Sequence, residues 1–111
     1  MTLVLGFHDY LAPAQQLAQC LTIPFKQIES HQFPDGETKV TLPSDLPKQV
    51  IICQTLNHPD QKLIELILVA HTAREQGVEH ITLVAPYLCY MRQDIAFHAG
   101  EAVSQKIIGK L

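Results

Sequence analysis

Along the chain, short apolar runs alternate with longer amphipathic segments. Short apolar runs, typical of buried strands, lie at 2–8, 49–55 and 80–87. Segments with apolar residues at helical spacing lie at 9–21, 61–77 and 100–111. Because strand and helix alternate, the pattern predicts an α/β fold with βαβ crossovers, in which helices flank a mainly parallel sheet.

The segment from 24 to 43 has a different pattern. Two strand-like stretches, "PFKQIES" and "TKVTLP", are separated by the turn-forming "FPDGE". Two arrangements are compatible with this order: an antiparallel hairpin, or two separate edge strands. The sequence leaves both open.

Capping residues and apolar stripes define the helices further. Asp9 is predicted to cap the first helix, and Gly77 to end the second. His71 lies near the apolar face of the second helix and is predicted to be a partly buried core residue. The stripe that this helix is predicted to bury consists of Leu63, Ile67, Ala70 and Ala73, widened by Ile64 and Leu68.

Size and composition limit the possible classes of function. A chain of 111 residues is sufficient for one domain, which we predict to span 1–111. The net charge of −3 and the pI near 6.0 give no basic surface for a phosphate backbone, so nucleic acid is not expected as a partner. No apolar run reaches the roughly 20 residues that cross a bilayer, so no membrane association is expected. Three cysteines without a Cys-x-x-Cys pair indicate a reducing, cytoplasmic location, and the scattered histidines predict no metal site.

Polar side chains follow the third apolar strand directly. Arg92, Gln93 and Asp94 come after "HITLVAPY", and ligands of open α/β sheets bind beyond the carboxyl ends of parallel strands. A guanidinium there binds phosphate oxygens through two parallel hydrogen bonds, and the Gln93 amide offers a donor and an acceptor. The alternative is a solvated loop in which Arg92 pairs with Asp94 or Asp60. The residues alone favour neither interpretation.

A second candidate site is the "FPDGE" turn, with Phe33, Asp35, Gly36 and Glu37. An aromatic face can stack on a base, and nearby carboxylates or backbone groups accept hydrogen bonds from an exocyclic amine. Asp-Gly is also among the commonest turn signals, so these residues alone favour a plain turn. Neither a Gly-x-x-x-x-Gly-Lys-Ser loop nor a Gly-x-Gly-x-x-Gly loop is present, which excludes a conventional P-loop or Rossmann site.

Three blocks, in this order, resemble the N-terminal part of the ribose-phosphate pyrophosphokinases: "FPDGE", "NHPDQKLIELILVAHTAREQGVEHITLVAPYLCYMRQD" and "GEAVSQKIIGKL". The likeness runs from about Gln32 to Leu111, and its specific part is the middle block, which ends in Pro-Tyr-x-x-Tyr-x-Arg-Gln-Asp. The resemblance implies a phosphoribosyltransferase-like α/β domain. Because the last apolar stripe continues to Leu111 without a stop signal, we also expect that a C-terminal domain is absent from this chain.

The family makes phosphoribosyl pyrophosphate for nucleotide biosynthesis by transferring diphosphate from ATP to ribose 5-phosphate, with Mg²⁺. By resemblance, the "FPDGE" loop embraces adenine, typically from a neighbouring subunit, while Arg92 and Gln93 contact ATP. A homo-oligomer is therefore implied. The family's magnesium-binding histidine and its ribose-phosphate, pyrophosphate and mobile basic loops lie beyond residue 111. We therefore expect no catalytic or metal-binding residue in this chain, and no turnover by the chain alone.

The chain departs from the family pattern close to the expected phosphates. Ile95 and Ala96 follow Arg-Gln-Asp where one or two basic residues are usual, and Cys89 stands at a usual glycine position. Two further interpretations therefore stay open. One is a non-catalytic regulatory relative that binds nucleotide or partner subunits, and the other is a stand-alone α/β module with a solvated Arg-Gln-Asp loop.

Overall fold

The structure is a computed structural model that describes residues 1–85, apart from the side chain of Pro59. The described chain contains five strands and two helices, with one 3₁₀ turn after the first strand. In chain order these elements are β1 (Thr2–Phe7), the 3₁₀ turn (His8–Tyr10), α1 (Leu11–Leu21), β2 (Phe25–Gln32), β3 (Thr38–Thr41), β4 (Gln49–Cys53), α2 (Pro59–Glu75) and β5 (His80–Val84). The end of the third predicted strand and the predicted helix at 100–111 lie outside the described residues.

The five strands form one sheet in the order β3-β2-β1-β4-β5. Strands β2, β1, β4 and β5 are parallel, and β3 is antiparallel to β2. The prediction of a mainly parallel α/β sheet is confirmed. Of the two arrangements left open for 24–43, the structure has the antiparallel hairpin. The strand order reverses between β1 and β4, because the chain first adds β2 and β3 on one side of β1 and then crosses to the other side.

The sheet is covered on both faces because side chains of β1 alternate between two apolar clusters. Leu3, Leu5 and Phe7 pack with Val69 and Ala73 of α2 on one face. On the other face, Val4 and Cys53 pack with Ala14 and Ala18 of α1. A strand with an apolar cluster on each side is favoured at the centre of a sheet, which explains the central place of β1.

Gly6 is required by the close packing of α1 on β1. A Cβ atom at this position would lie 2.7 Å from the Ala14 Cβ and 2.9 Å from the Phe25 Cε2. These distances are shorter than any van der Waals contact between carbon atoms, so only glycine fits without moving the helix.

The start of α1 differs from the prediction that Asp9 caps it. The N-cap residue is Tyr10, and it makes no side-chain capping hydrogen bond. Asp9 instead lies one residue earlier, in the 3₁₀ turn, where its carboxylate contacts the side chains of Gln54, just after β4, and of Lys62 in α2. Tertiary partners therefore take precedence over the local cap.

The buried face of α2 also differs from the predicted stripe. The buried residues of α2 are Glu65, Val69 and Ala73, whereas Ile64 is 52% and Ile67 is 49% exposed. The helix carries apolar residues on several sides, so helical spacing selects no unique face and packing on the sheet decides. Glu65 is tolerated in the interior because it accepts a hydrogen bond from the Ser30 hydroxyl of β2.

His71 is exposed, which contradicts its prediction as a partly buried core residue. Its side chain is 75% exposed, and its Nε2 lies 2.9 Å from Glu75 Oε1, one turn further along α2. The prediction for His71 was wrong for the same reason as the predicted apolar stripe. His71 lies on the same helix face as Ile64 and Ile67, and this face is exposed because the sheet covers a different one. The predicted end of α2 is confirmed, because the helix stops at Glu75 and Gly77 has a φ of +96°.

Neither helix of the described chain is long and apolar enough to cross a membrane.

Candidate functional site

The "FPDGE" residues form a closed loop between β2 and β3. The Gly36 N–H donates to the Phe33 carbonyl oxygen at 2.9 Å, and the Phe33 N–H donates to the Glu37 carbonyl oxygen at 2.8 Å. The Asp35 carboxylate accepts from the Glu37 N–H at 3.0 Å, so this predicted adenine contact is also part of the turn. Gly36 adopts a φ of +95°, which glycine accepts at no steric cost. The loop is therefore preformed, and its shape follows from Asp35 and Gly36.

Phe33 is the aromatic group of this loop, and it is 41% exposed. Its ring centroid lies 4.9 Å from that of His31, at an interplanar angle of 86°. Perpendicular rings at this separation form a favourable edge contact, which restricts the orientation of the Phe33 ring. The structure thus presents a partly exposed, oriented aromatic surface, which suits stacking of a planar ligand.

The loop projects well beyond the ends of β1, β4 and β5. Phe7, the last residue of β1, pairs with Ile28, but β2 continues to Gln32, four residues further. At about 3.3 Å per residue, β2 extends roughly 13 Å past the end of β1. The loop is therefore placed where it can contact a second molecule.

A polar groove lies beside the loop, on the part of the hairpin that α1 does not cover. Its volume is about 470 Å³, and residues that line it include His8, Glu29, His31, Phe33 and Lys39. Groove volumes of this order accommodate small ligands. His31 and Lys39 are cross-strand partners, so the groove offers hydrogen-bond donors next to the Phe33 ring.

A second polar cluster lies at the carboxyl ends of β1 and β4, where the strand order reverses. The Gln54 Nε2 donates to Asp9 Oδ1 at 3.1 Å, and the Lys62 Nζ lies 3.7 Å from Asp9 Oδ2. Lys62 also donates to Asn57 Oδ1 at 2.7 Å. We call these four residues, Asp9, Gln54, Asn57 and Lys62, the crevice cluster. Sequence reasoning missed it, although the rule that ligands bind at strand carboxyl ends applies as much to β1 and β4 as to the strand before Arg92.

The predicted site residues are only partly within the described structure. Phe33, Asp35, Gly36 and Glu37 come together in one loop, as their spacing requires. Arg92 and Gln93 lie outside the described residues. The strand before them, β5, pairs in parallel with β4 through Val84 and Cys53, so it ends at the same edge as β1 and β4. That Arg92, Gln93 and the loop contribute to nucleotide binding stays a prediction.

Residues 1–85 contain neither a group of side chains that could hold a metal ion nor a cysteine with the features of a reactive thiolate. No group of three or more His, Cys, Asp or Glu side chains in this part of the chain is placed to hold a metal ion. Cys53 is 3% exposed and unpaired, as expected for a small core residue, and burial raises the pKa of its thiol. A thiol with a raised pKa is less often the reactive thiolate, so Cys53 is a packing residue.

Solved structures share this fold. A phosphoribosylpyrophosphate synthetase from Mycobacterium smegmatis matches 99% of this chain and 38% of its own chain, with a TM-score of 0.84 at 23% identity. A purine phosphoribosyltransferase from Pyrococcus horikoshii matches 78% of this chain and 63% of its own, with a TM-score of 0.52 at 20% identity. The class of the fold is therefore a mixed, mostly parallel α/β sheet of the kind present in the synthetase structure.

Sequence comparison defines the family within this class. The family model for the N-terminal domain of ribose phosphate pyrophosphokinase matches residues 3–111. The ribose-phosphate pyrophosphokinase of Saccharolobus solfataricus is 43% identical over 96 residues, which are 85% of this chain and 33% of that protein. The one from Methanopyrus kandleri is 32% identical over 109 residues, 97% of this chain and 38% of that protein. The chain belongs to the ribose phosphate pyrophosphokinase family, as an N-terminal domain, and spans about one third of the length of these relatives.

Proposed function

We propose that the chain is the ATP-binding, N-terminal part of a ribose-phosphate diphosphokinase. The enzyme would transfer the β,γ-diphosphoryl group of ATP to the 1-hydroxyl of ribose 5-phosphate, giving phosphoribosyl pyrophosphate and AMP. Membership of the family supports the reaction class. The observation that carries the nucleotide assignment is the preformed loop, which holds a partly exposed Phe33 ring beside a polar groove.

The loop would bind adenine through stacking and hydrogen bonds. The Phe33 ring provides the flat apolar surface, and Glu37 provides a carboxylate that makes no hydrogen bond within residues 1–85. A carboxylate accepts from the 6-amino group of adenine, whereas guanine has a carbonyl oxygen at that position. Asp35 and Gly36 would act by fixing the shape of the loop, because the Asp35 carboxylate already accepts the Glu37 N–H.

Phosphate binding is assigned in this proposal to Arg92 and Gln93. Diphosphoryl transfer depends mainly on in-line positioning and on neutralising negative charge, and a guanidinium supplies part of that charge. Magnesium would enter with the phosphates of ATP. Because no metal-ligand group exists among residues 1–85, we assign no magnesium ligand to this part of the chain.

The projection of the loop supports a homo-oligomer. A loop that extends roughly 13 Å beyond its own sheet is placed to complete a site on a second copy rather than on its own crevice. Light scattering of the chain at increasing concentration is expected to show self-association. A monomer at millimolar concentration would contradict both the oligomer and a site shared between copies, and would leave only nucleotide contacts within one chain to be tested.

A regulatory, non-catalytic relative is the second candidate. The specific observation in its favour is Ile95 and Ala96, which stand where the family usually has basic residues. The sequence of the complete open reading frame would distinguish the enzyme from the regulatory relative. An Asp-Asp ribose-phosphate loop downstream favours the enzyme, and its loss favours the regulator. The isolated chain is expected to produce no AMP from ATP and ribose 5-phosphate, and turnover by it would contradict our assignment of the catalytic groups.

Nucleotide binding is tested by titrating ATP calorimetrically into wild type and Phe33→Ala. Loss of base stacking costs about 1–3 kcal/mol, so we expect affinity to fall by a factor of about 5 to 150. Leu21→Ala is the matched control, because Leu21 is 49% exposed but lies on α1, away from the loop. Equal affinities of Phe33→Ala and Leu21→Ala would overturn the adenine assignment.

The same titration separates base from phosphate contacts. Arg92→Ala is expected to weaken ATP binding but to leave adenosine binding unchanged, whereas Phe33→Ala weakens both. If Arg92→Ala has no effect on ATP, the solvated loop is the better interpretation of Arg-Gln-Asp.

A further inference from the structure

The crevice cluster lies at the position where open α/β sheets bind ligands. The carboxyl ends of β1 and β4 are neighbours, and β1 is followed by the 3₁₀ turn that leads to α1, while β4 is followed by the segment that leads to α2. These two connections lead to helices on opposite faces of the sheet, and in open α/β sheets this topology is where a ligand crevice forms. In this chain the crevice contains hydrogen-bond donors that converge on one carboxylate.

Gln54 is the fixed donor of the crevice cluster. It is 1% exposed, and its Oε1 accepts the Thr55 N–H at 2.9 Å. Because this bond occupies the amide oxygen, it fixes the orientation of the amide and directs the Nε2 toward Asp9. A buried amide donor whose orientation is set by the backbone is preorganised to bind an anion at this point.

Lys62 is the charged donor. Its side chain is only 15% exposed, and one of its three N–H groups is used by Asn57 Oδ1 at 2.7 Å. The distance from Nζ to Asp9 Oδ2 is 3.7 Å, which is longer than a hydrogen bond. The ammonium group therefore attracts Asp9 electrostatically but has unused donor capacity toward the crevice.

Asp9 is the exposed partner in this arrangement. It belongs to a single 3₁₀ turn, and its side chain is 53% exposed, so it can rotate into solvent without disrupting the core. Its carboxylate oxygens stand where the oxygens of an external anion would accept from Gln54 and Lys62. A phosphate group is larger than a carboxylate and would reach both donors at hydrogen-bond distance.

We propose that this crevice is a phosphate site whose resident anion is the Asp9 carboxylate, which an external phosphate group displaces. The N-terminus of α2 adds favourable potential, because its N-cap residue, His58, makes no capping hydrogen bond. Asp60 in the first turn of α2 opposes this effect. The site is separate from the adenine loop, and it limits phosphate affinity through the cost of expelling Asp9.

The test measures phosphate binding to the chain by NMR titration at constant ionic strength, with inorganic phosphate and with methyl phosphate. We expect weak binding to wild type and binding about tenfold tighter to Asp9→Ala, since the competing carboxylate is gone. Lys62→Met is expected to abolish binding in both backgrounds. Binding of inorganic phosphate alone would identify a free-phosphate site, and binding of both would identify a site for phosphate esters.

Lys48→Met is the matched control. Lys48 Nζ also lies 3.7 Å from a carboxylate, that of Glu79, but the Lys48 side chain is 77% exposed. This variant is expected to bind phosphate like wild type. Asp9→Asn, which keeps the shape of the side chain and removes its charge, is expected to gain affinity as well and serves if Asp9→Ala does not fold. Two results would overturn the proposal: no gain in either Asp9 variant, or an equal loss in Lys48→Met and Lys62→Met.

Discussion

The loop between β2 and β3 and the crevice cluster gather polar groups in opposite ways. The loop between β2 and β3 is exposed and is held by its own backbone, so within residues 1–85 Phe33 and Glu37 need no partner from outside the hairpin. The crevice cluster joins groups from two connections and from α2, and Asp9 and Gln54 are 45 residues apart. The loop is therefore defined by local sequence, and the crevice cluster by the fold. A substitution in the loop should therefore affect mainly ligand contacts, whereas a substitution in the crevice cluster should affect stability as well as ligand contacts.

Two glycines provide the sharpest test of how the locally defined loop differs from the parts of the chain that the fold brings together. Gly6→Ala would place a Cβ 2.7 Å from the Ala14 Cβ, so α1 must move, and we expect a loss of about 3 kcal/mol in the free energy of unfolding. Gly36→Ala meets no atom within 4 Å and incurs only the cost of a φ of +95°, about 1 kcal/mol. Urea unfolding of both variants measures the difference. Equal losses would show that the loop is as tightly packed as the central strand.

Gln54→Ala removes the buried amide of the crevice cluster. We expect a loss of about 2 kcal/mol, because the Thr55 N–H and the Asp9 carboxylate each lose a buried partner. Gln32→Ala is the control, since the Gln32 amide donates only a long hydrogen bond of 3.4 Å to the loop at an exposed site. Its effect should stay within about 0.5 kcal/mol. Thermal unfolding followed by circular dichroism compares the two, and a larger loss for Gln32→Ala would reverse the contrast.

The two lysine–carboxylate pairs at 3.7 Å differ mainly in burial. A double-mutant cycle of Asp9→Ala and Lys62→Met is expected to give a coupling energy of about 1 kcal/mol, because the Lys62 side chain is 15% exposed. The cycle for Lys48 and Glu79, which are 77% and 57% exposed, should give less than about 0.5 kcal/mol. At 1 M salt the coupling energy of Lys48 and Glu79 should fall to about zero, whereas that of Asp9 and Lys62 should be reduced less. Equal couplings would mean that the crevice is as well solvated as the surface.

Phe33→Ala should have the smallest effect on stability. The ring is 41% exposed and the loop is closed by backbone bonds, so the change in unfolding free energy is expected to be about 0.5 kcal/mol or less. The same protein is expected to lose nucleotide affinity. A stability loss above about 2 kcal/mol would instead identify Phe33 as a packing residue.

Local chemistry explains what could be predicted from the sequence. The turn at "FPDGE", the end of α2 at Gly77 and the parallel order of the apolar strands all depend on neighbouring residues or on connection rules, and the structure confirms them. The buried face of α2 and the role of Asp9 depend on long-range partners. An apolar helix surface gives no preference between Ile67 and Val69 until the sheet covers one side, and Asp9 looks like a cap until Gln54 and Lys62 are brought to it.

Because β2 extends past the end of β1, a change in the direction of β2 at Ile28 displaces the loop at its far end. The anchored end of this extension is Ile28, which is fully buried against β1, and its free end is the loop four residues later. A small rotation of β2 at the anchor is magnified into a larger displacement at the tip, so the twist of the sheet sets where Phe33 is held in space. Core substitutions around Ile28, far from any ligand, would therefore change the position and direction of the loop. The alignment of a site shared between copies would then depend on the packing of one isoleucine.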